Sequence, residues 1–132
     1  LDTLRALMLH HTQGTTVLGG DFNTVMCPRM NFQRSTPTGD MRDMALAKWV
    51  NGLGLCDAGR VWNPRSLEYT HTSAAHKAQS RIDLLFVPAA SFLSTVGATI
   101  HHRGISDHSP PLLRMGTSGE GRRPNLEIKG LI

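Results

Sequence analysis

The chain has 132 residues, 39% hydrophobic and 18% charged, which fits one folded domain or a large piece of one and excludes a disordered polyelectrolyte. Its formal charge of +4 and pI near 9.7 lean toward a polyanionic partner, because each phosphate neutralised releases counterions. No apolar run reaches the roughly 18 residues of a membrane span, so no membrane partner is expected.

The opening stretch, Leu1 to His11, contains Asp2 and Arg5 and no small-residue cleavage site, so a secretory signal is not expected. The first residue is not Met, and the chain is expected to begin inside a larger polypeptide. Cys27 and Cys56 stand alone without a CxxC partner, which reads as reduced thiols in an intracellular protein.

In chain order, Leu4, Leu7, Met8 and His11 recur at helical spacing and predict an amphipathic helix closed by Gln13 and Gly14. Thr15 to Gly20 predicts a short buried strand, with Asp21-Phe22-Asn23 at its C-terminal edge. Cys27 to Asp40, with Pro28, Pro37 and Gly39, predicts a loop. Asp40 is a good N-cap for a second helix, whose Met41, Met44, Ala45, Lys48, Trp49 and Leu53 keep helical spacing until Gly52 and Gly54. Its apolar face, with Met41, Met44 and Trp49, is expected in the core.

Leu55 to Trp62 is ambiguous, a strand interrupted by Gly59 being one reading, and Trp62-Asn63-Pro64-Arg65 turns the chain. Glu68 to Thr72 alternates like a strand, and Ala74 to Gln79 is polar enough for a loop. The clearest strand is Ser80 to Val87, stopped by Pro88. A short helix over Ala89 to Leu93, a strand over Thr95 to Arg103 and a last strand over Pro111 to Met115 complete the pattern. Gly116 onward is Gly/Arg-rich and is expected to be a flexible tail. The mixture of helices and strands predicts an α/β architecture.

Three polar clusters fall at strand ends: Gly20-Asp21-Phe22-Asn23, Ser80-Arg81-Ile82-Asp83 and Ser106-Asp107-His108. Singly each is weak, since Gly-Asp is common in turns and Asp beside Arg or His is usually a solvated pair. Their order is more telling. GDFN, then SRID, then SDHSP resembles the signature of the endonuclease/exonuclease/phosphatase superfamily, from Thr16 to about Leu113. The run from Tyr69-Thr70 through SRIDLLFV to SDHSP is similar in particular to the endonucleases of non-LTR retrotransposons.

That resemblance implies the C-terminal half of a two-sheet, DNase I-like α/β sandwich over residues 1–115, with 116–132 as a tail. It implies Mg²⁺- or Mn²⁺-dependent phosphodiester hydrolysis, in particular DNA nicking. By match to the motifs, Asp107 is the metal-associated aspartate and His108 contacts the phosphate and helps activate water. Asp83 orients that histidine. Asp21 positions the attacking water, and Asn23 binds phosphate or metal-bound solvent. Thr70 reaches the phosphate or a sugar, or is a plain strand position. Ser106 and Arg81 read best as structural contacts.

The family also places an Asn and a metal-binding Glu upstream of GDFN. Asp2 is the sole acid in Leu1 to Gly20. The isolated chain is therefore expected to bind metal poorly and to show little activity. The resemblance implies a missing N-terminal half, a downstream reverse transcriptase and a nuclear location for the parent protein. A phosphatase or lipid phosphodiesterase of the same superfamily, or a non-catalytic retroelement remnant, remains the alternative.

Other chemistries fit less well. Seven histidines come without CxxC or HExxH spacing, which disfavours structural zinc. Gly104-Ile105-Ser106-Asp107-His108 lacks the last glycine of a nucleophile elbow. Gly52-Leu53-Gly54 has no third glycine for a dinucleotide fingerprint.

Overall fold

The computed structural model describes residues 2–10, 14–26, 32–33, 41–102 and 105–116. The N-terminal helix α1 spans Asp2–His10, with Asp2 in its first turn and His10 in its last, both favourable to the helix dipole. It has no buried residues and packs Met8 against the core. Strand β1, Leu18–Asp21, begins later than its apolar residues suggest and is largely exposed. Among the described residues β1 lies at the edge of a sheet ordered β1-β6-β3.

Of the expected loop from Cys27 to Asp40, only Phe32–Gln33 is described, and these form a short strand, β2, recruited by pairing with β5. Cys27 and the expected cap Asp40 lie outside the described residues. Helix α2, Met41–Gly52, follows as expected but presents a different face. Leu46 and Val50 are buried, with Trp49 and Leu53 packed beside them, whereas Met44 is 62% exposed. Apolar residues lie almost evenly around this helix, so its spacing could not choose the core side. Gly54, at φ +65, stops the helix in a conformation that other residues adopt at a cost.

Leu55–Asp57 forms β3, and the chain then enters a short helix, α3, over Ala58–Trp62. Asp57 caps α3 by accepting the Arg60 backbone N–H at 3.1 Å. The predicted strand from Ser80 to Val87 is in fact divided. Ser80 closes β5, Ala78–Ser80, while β6 runs over Asp83–Pro88, leaving Arg81 and Ile82 as the crossing between two sheets. Strand β4, His71–Ser73, pairs with β5, giving a second sheet ordered β2-β5-β4. A 3₁₀ turn, Ala89–Ser94, leads into the hairpin of β7, Thr95–Ile100, and β8, Pro111–Met115. The described strands thus form three small sheets.

Central β6 organises the interior. Leu84 and Phe86 are fully buried against Leu46, Val50 and Leu55. Val87, with Cys56, Ala58 and Phe92, builds a second cluster. The larger of these side chains, such as Leu84, Phe86 and Val87, each contribute about 1.5–3 kcal/mol of burial. Asn63 Nδ2 donates to Ala98 O at 2.8 Å and Trp62 Nε1 to Thr95 Oγ1 at 2.9 Å, tying α3 to β7. Cys56 is free and buried.

Candidate active site

Pairing of β1 with β6 sets Asp21 directly opposite Asp83. The pairing continues one step beyond the strand, as Phe22 N donates to Ile82 O at 2.9 Å, and the Phe22 ring meets Phe86 edge-on at 5.2 Å. The chain then turns sharply at Asn23, whose φ is +49. Asparagine tolerates that left-handed conformation better than most residues. Asp21 Oδ1 accepts the Asn23 N–H at 2.8 Å, which leaves its other oxygen and the Asn23 side chain at the exposed end of the sheet.

Thr70 holds the other side. Its side chain is 1% exposed, and Oγ1 accepts the N–H groups of both Ile82 and Asp83 at 3.0 Å. Thr70 therefore binds the backbone that carries Asp83. Its own backbone accepts from Ser109 N at 2.6 Å, and Thr72 N donates to Asp107 O at 2.9 Å. These bonds stitch the Ser106-Asp107-His108 loop to β4 as an isolated antiparallel bridge between His71 and His108. Ser106 Oγ accepts the His108 N–H at 3.1 Å, the structural role expected of it.

The result brings Asp83 and His108 into contact: Nδ1 of His108 lies 2.9 Å from Asp83 Oδ2. Asp83 is mostly shielded, with 15% of its side chain exposed, while His108 retains 34%. The carboxylate acceptor raises the His108 pKa above its ordinary 6.5, against a smaller opposing effect of burial, and the charges of Asp83, Asp107 and Asp21 push the same way. A carboxylate on Nδ1 also fixes one tautomer and leaves Nε2 for chemistry. Asp21, Asp83 and His108 each offer an atom within 4.8 Å of the others, as do His71, Asp107 and His108, so the site holds two candidate cation-binding sets. Asp107 is 68% exposed.

Arg81 of the SRID cluster points elsewhere, into a buried bidentate pair with Asp57, both bonds being 2.6 Å. A Cβ on Gly59 would run into Arg81 Nη2, so this glycine makes room for the pair. A small cavity of about 20 Å³ beside Arg81, Arg60 and Glu68 includes none of Asp21, Asn23, Asp83, Asp107 or His108.

Asp57 and His71 also take part, although neither belongs to the three polar clusters. Asp57 reads as an ordinary cap until its partner is seen. The His71 ring centroid lies 4.6 Å from that of His108, with the planes at 44°, and its Nε2 is 3.7 Å from Asp107 Oδ2. Its place immediately after Thr70 was the one available signal.

The transposon TX1 uncharacterized 149 kDa protein of Xenopus laevis is 29% identical over 102 residues, covering 75% of this chain and 8% of that protein. The 3'-5' exonuclease NExo of Neisseria meningitidis superposes with a TM-score of 0.71 at 21% identity, over 88% of this chain and 50% of that one. The endonuclease domain of TRAS1, a telomere-specific non-LTR retrotransposon, gives 0.67 at 18% identity, over 89% of this chain and 50% of that one. The chain thus spans about half the length of these two structures, and the fold is the DNase I-like α/β fold. Residues 1–108, which include all three polar clusters, match the endonuclease/exonuclease/phosphatase family, and the chain belongs to that family.

Proposed function

We propose that this chain supplies the C-terminal part of a divalent-metal-dependent endonuclease that nicks DNA for a non-LTR retrotransposon. The observation that carries the reading is the Asp83–His108 pair at 2.9 Å, flanked by Asp21 and Asp107. The retrotransposon assignment draws on the likeness to the TX1 transposon protein and the TRAS1 endonuclease domain. The net charge of +4 favours DNA over a small phosphoester.

In this reading His108 presents Nε2 to the scissile phosphate. Protonated, it donates to a phosphate oxygen; neutral, it accepts a proton from water. Asp83 keeps the ring oriented and stabilises its cationic form. Asp21 positions the water that attacks phosphorus, and Asn23, on its turn, binds a phosphate oxygen or solvent. Asp107 and Asp21 have exposed carboxylates, whereas Asp83 Oδ2 is committed to His108. Such donors fit Mg²⁺ or Mn²⁺, which takes oxygen ligands and, in the case of Mg²⁺, keeps several waters. Bound there, the cation would supply neutralisation of the phosphate charge and a more acidic water.

The proposal includes an N-terminal half of the domain with the family's Asn and metal-binding Glu, a reverse transcriptase farther along the parent polypeptide, and a nuclear location. The chain alone is expected to nick weakly or not at all. The test uses supercoiled plasmid with this chain, the extended parent, and the parent carrying His108→Ala, each with and without Mg²⁺. The parent should nick only with metal, and His108→Ala should slow it on the order of 100-fold or more. Equal nicking by the alanine variant refutes the role of His108. Hydrolysis of an inositol phosphate in preference to plasmid favours the phosphatase or lipid phosphodiesterase reading, and inertness toward both favours a non-catalytic remnant.

A further inference from the structure

We infer that His71, Asp107 and His108 form a nitrogen-rich site for a transition-metal ion such as Zn²⁺ or Co²⁺, with a ligand set different from the oxygen site expected for Mg²⁺. The three residues each offer a ligand atom within 4.8 Å of the others. The backbone sets this up. His71 and His108 face each other across an antiparallel bridge, which puts both rings on one side of it.

The remaining nitrogens of both rings are already directed elsewhere. His108 Nδ1 is held by Asp83 Oδ2 at 2.9 Å, and His71 Nδ1 lies 3.5 Å from Ser80 Oγ. Each ring is therefore left with Nε2 as its ligand atom. A carboxylate or hydroxyl behind the distal nitrogen is the outer-shell arrangement that orients metal-binding histidines and raises their basicity.

The His71–Asp107 distance fits with little adjustment. Bonds of about 2.0–2.1 Å at tetrahedral angles place ligand atoms about 3.3 Å apart. His71 Nε2 and Asp107 Oδ2 stand at 3.7 Å, a few tenths of an ångström from that separation. Asp107 is exposed and free to swing, with 68% of its side chain accessible, and the histidines keep 24% and 34%, so ion and water can enter. Imidazole ligands select Zn²⁺, Co²⁺ or Ni²⁺ over the hard Mg²⁺. An ion here would occupy the nitrogen that the proposed hydrolysis needs, so Zn²⁺ would block that reaction. The site itself is a matter of equilibrium binding and does not depend on the nuclease reading.

The test is titration of the 132-residue chain with Zn²⁺ by calorimetry and with Co²⁺ by its visible ligand-field bands, with Mg²⁺ as the comparison. Zn²⁺ should bind on the order of 100-fold more tightly than Mg²⁺. His71→Phe and Asp107→Asn should each weaken Zn²⁺ at least about 10-fold and alter the Co²⁺ bands. Asp21→Asn, which removes a nearby charge but no ligand of this set, should weaken Zn²⁺ clearly less than the His71 variant and leave the Co²⁺ bands unchanged. Far-UV circular dichroism accompanies every variant, and His71→Gln replaces His71→Phe if the latter loses its native spectrum. Equal Zn²⁺ affinity in wild type and the His71 variant overturns the proposal. So does a loss in Asp21→Asn as large as that in the His71 variant, which places the ion on Asp21, Asp83 and His108 instead.

Discussion

Replacing Thr70 with valine changes almost no volume, so a purely hydrophobic account of the core expects little effect. The hydrogen bonds give a different answer. Thr70 Oγ1 is the side-chain acceptor for two N–H groups, those of Ile82 and Asp83, both at 3.0 Å and on a side chain that is 1% exposed. A buried donor left unpaired costs about 1–3 kcal/mol, so Thr70→Val should destabilise by about 3 kcal/mol, with the lower part of the summed range chosen because nearby backbone can relax. Thr70→Ser keeps the acceptor and loses one methyl, about 0.8 kcal/mol. The expected order is wild type, then serine, then valine, the reverse of apolar preference. Urea unfolding followed by the fluorescence of Trp49 and Trp62 measures it. Because Asp83 is anchored through the same hydroxyl, ¹⁵N NMR of His108 should show a loosened tautomer in valine but not in serine. A valine variant as stable as wild type, or more stable than serine, would refute the assignment of Thr70 as the residue that positions Asp83.

The Arg81–Asp57 pair, with side chains 6% and 8% exposed, should behave as a buried ion pair: Arg81→Met alone costs about 3–5 kcal/mol. The Asp57→Ala/Arg81→Met double variant should then cost clearly less than the sum of the singles by urea unfolding, and simple additivity contradicts the pairing. Nε2 and Cε1 NMR titration of the metal-free chain should find His108 above the ordinary 6.5, and Asp83→Asn should return it toward that value. Since the folded pKa is raised, the stability His108 provides is complete below its unfolded pKa and disappears as pH rises through the folded one; stability that grows over this interval contradicts the sign. Burial, followed by the charge of Asp57, raises the Cys56 thiol above 9.0. In a Cys27→Ser background it should therefore react slowly with a thiol reagent at pH 8 until urea is added, and fast labelling of the folded chain counts against its burial.

Local pattern was enough to find most elements of this chain. Proline, glycine and apolar runs marked the last hairpin strand at Pro111–Met115 and the approximate extent of α1 and α2, because these depend on neighbours a few residues away. The ordered GDFN, SRID and SDHSP clusters also carried the family, and residues 1–108 match it. Tertiary structure decided what periodicity leaves open. With apolar residues all round α2, the sheet chose Leu46 and Val50 for the core and left Met44 outside. The uniform look of Ser80 to Val87 hid a change of sheet at Arg81 and Ile82, made by a hydroxyl from Thr70. Likewise Asp57 and His71 carry no motif of their own. Their significance comes from Arg81 and His108, distant in sequence, and contacts made by strand pairing between remote segments leave no mark on the spacing of either one.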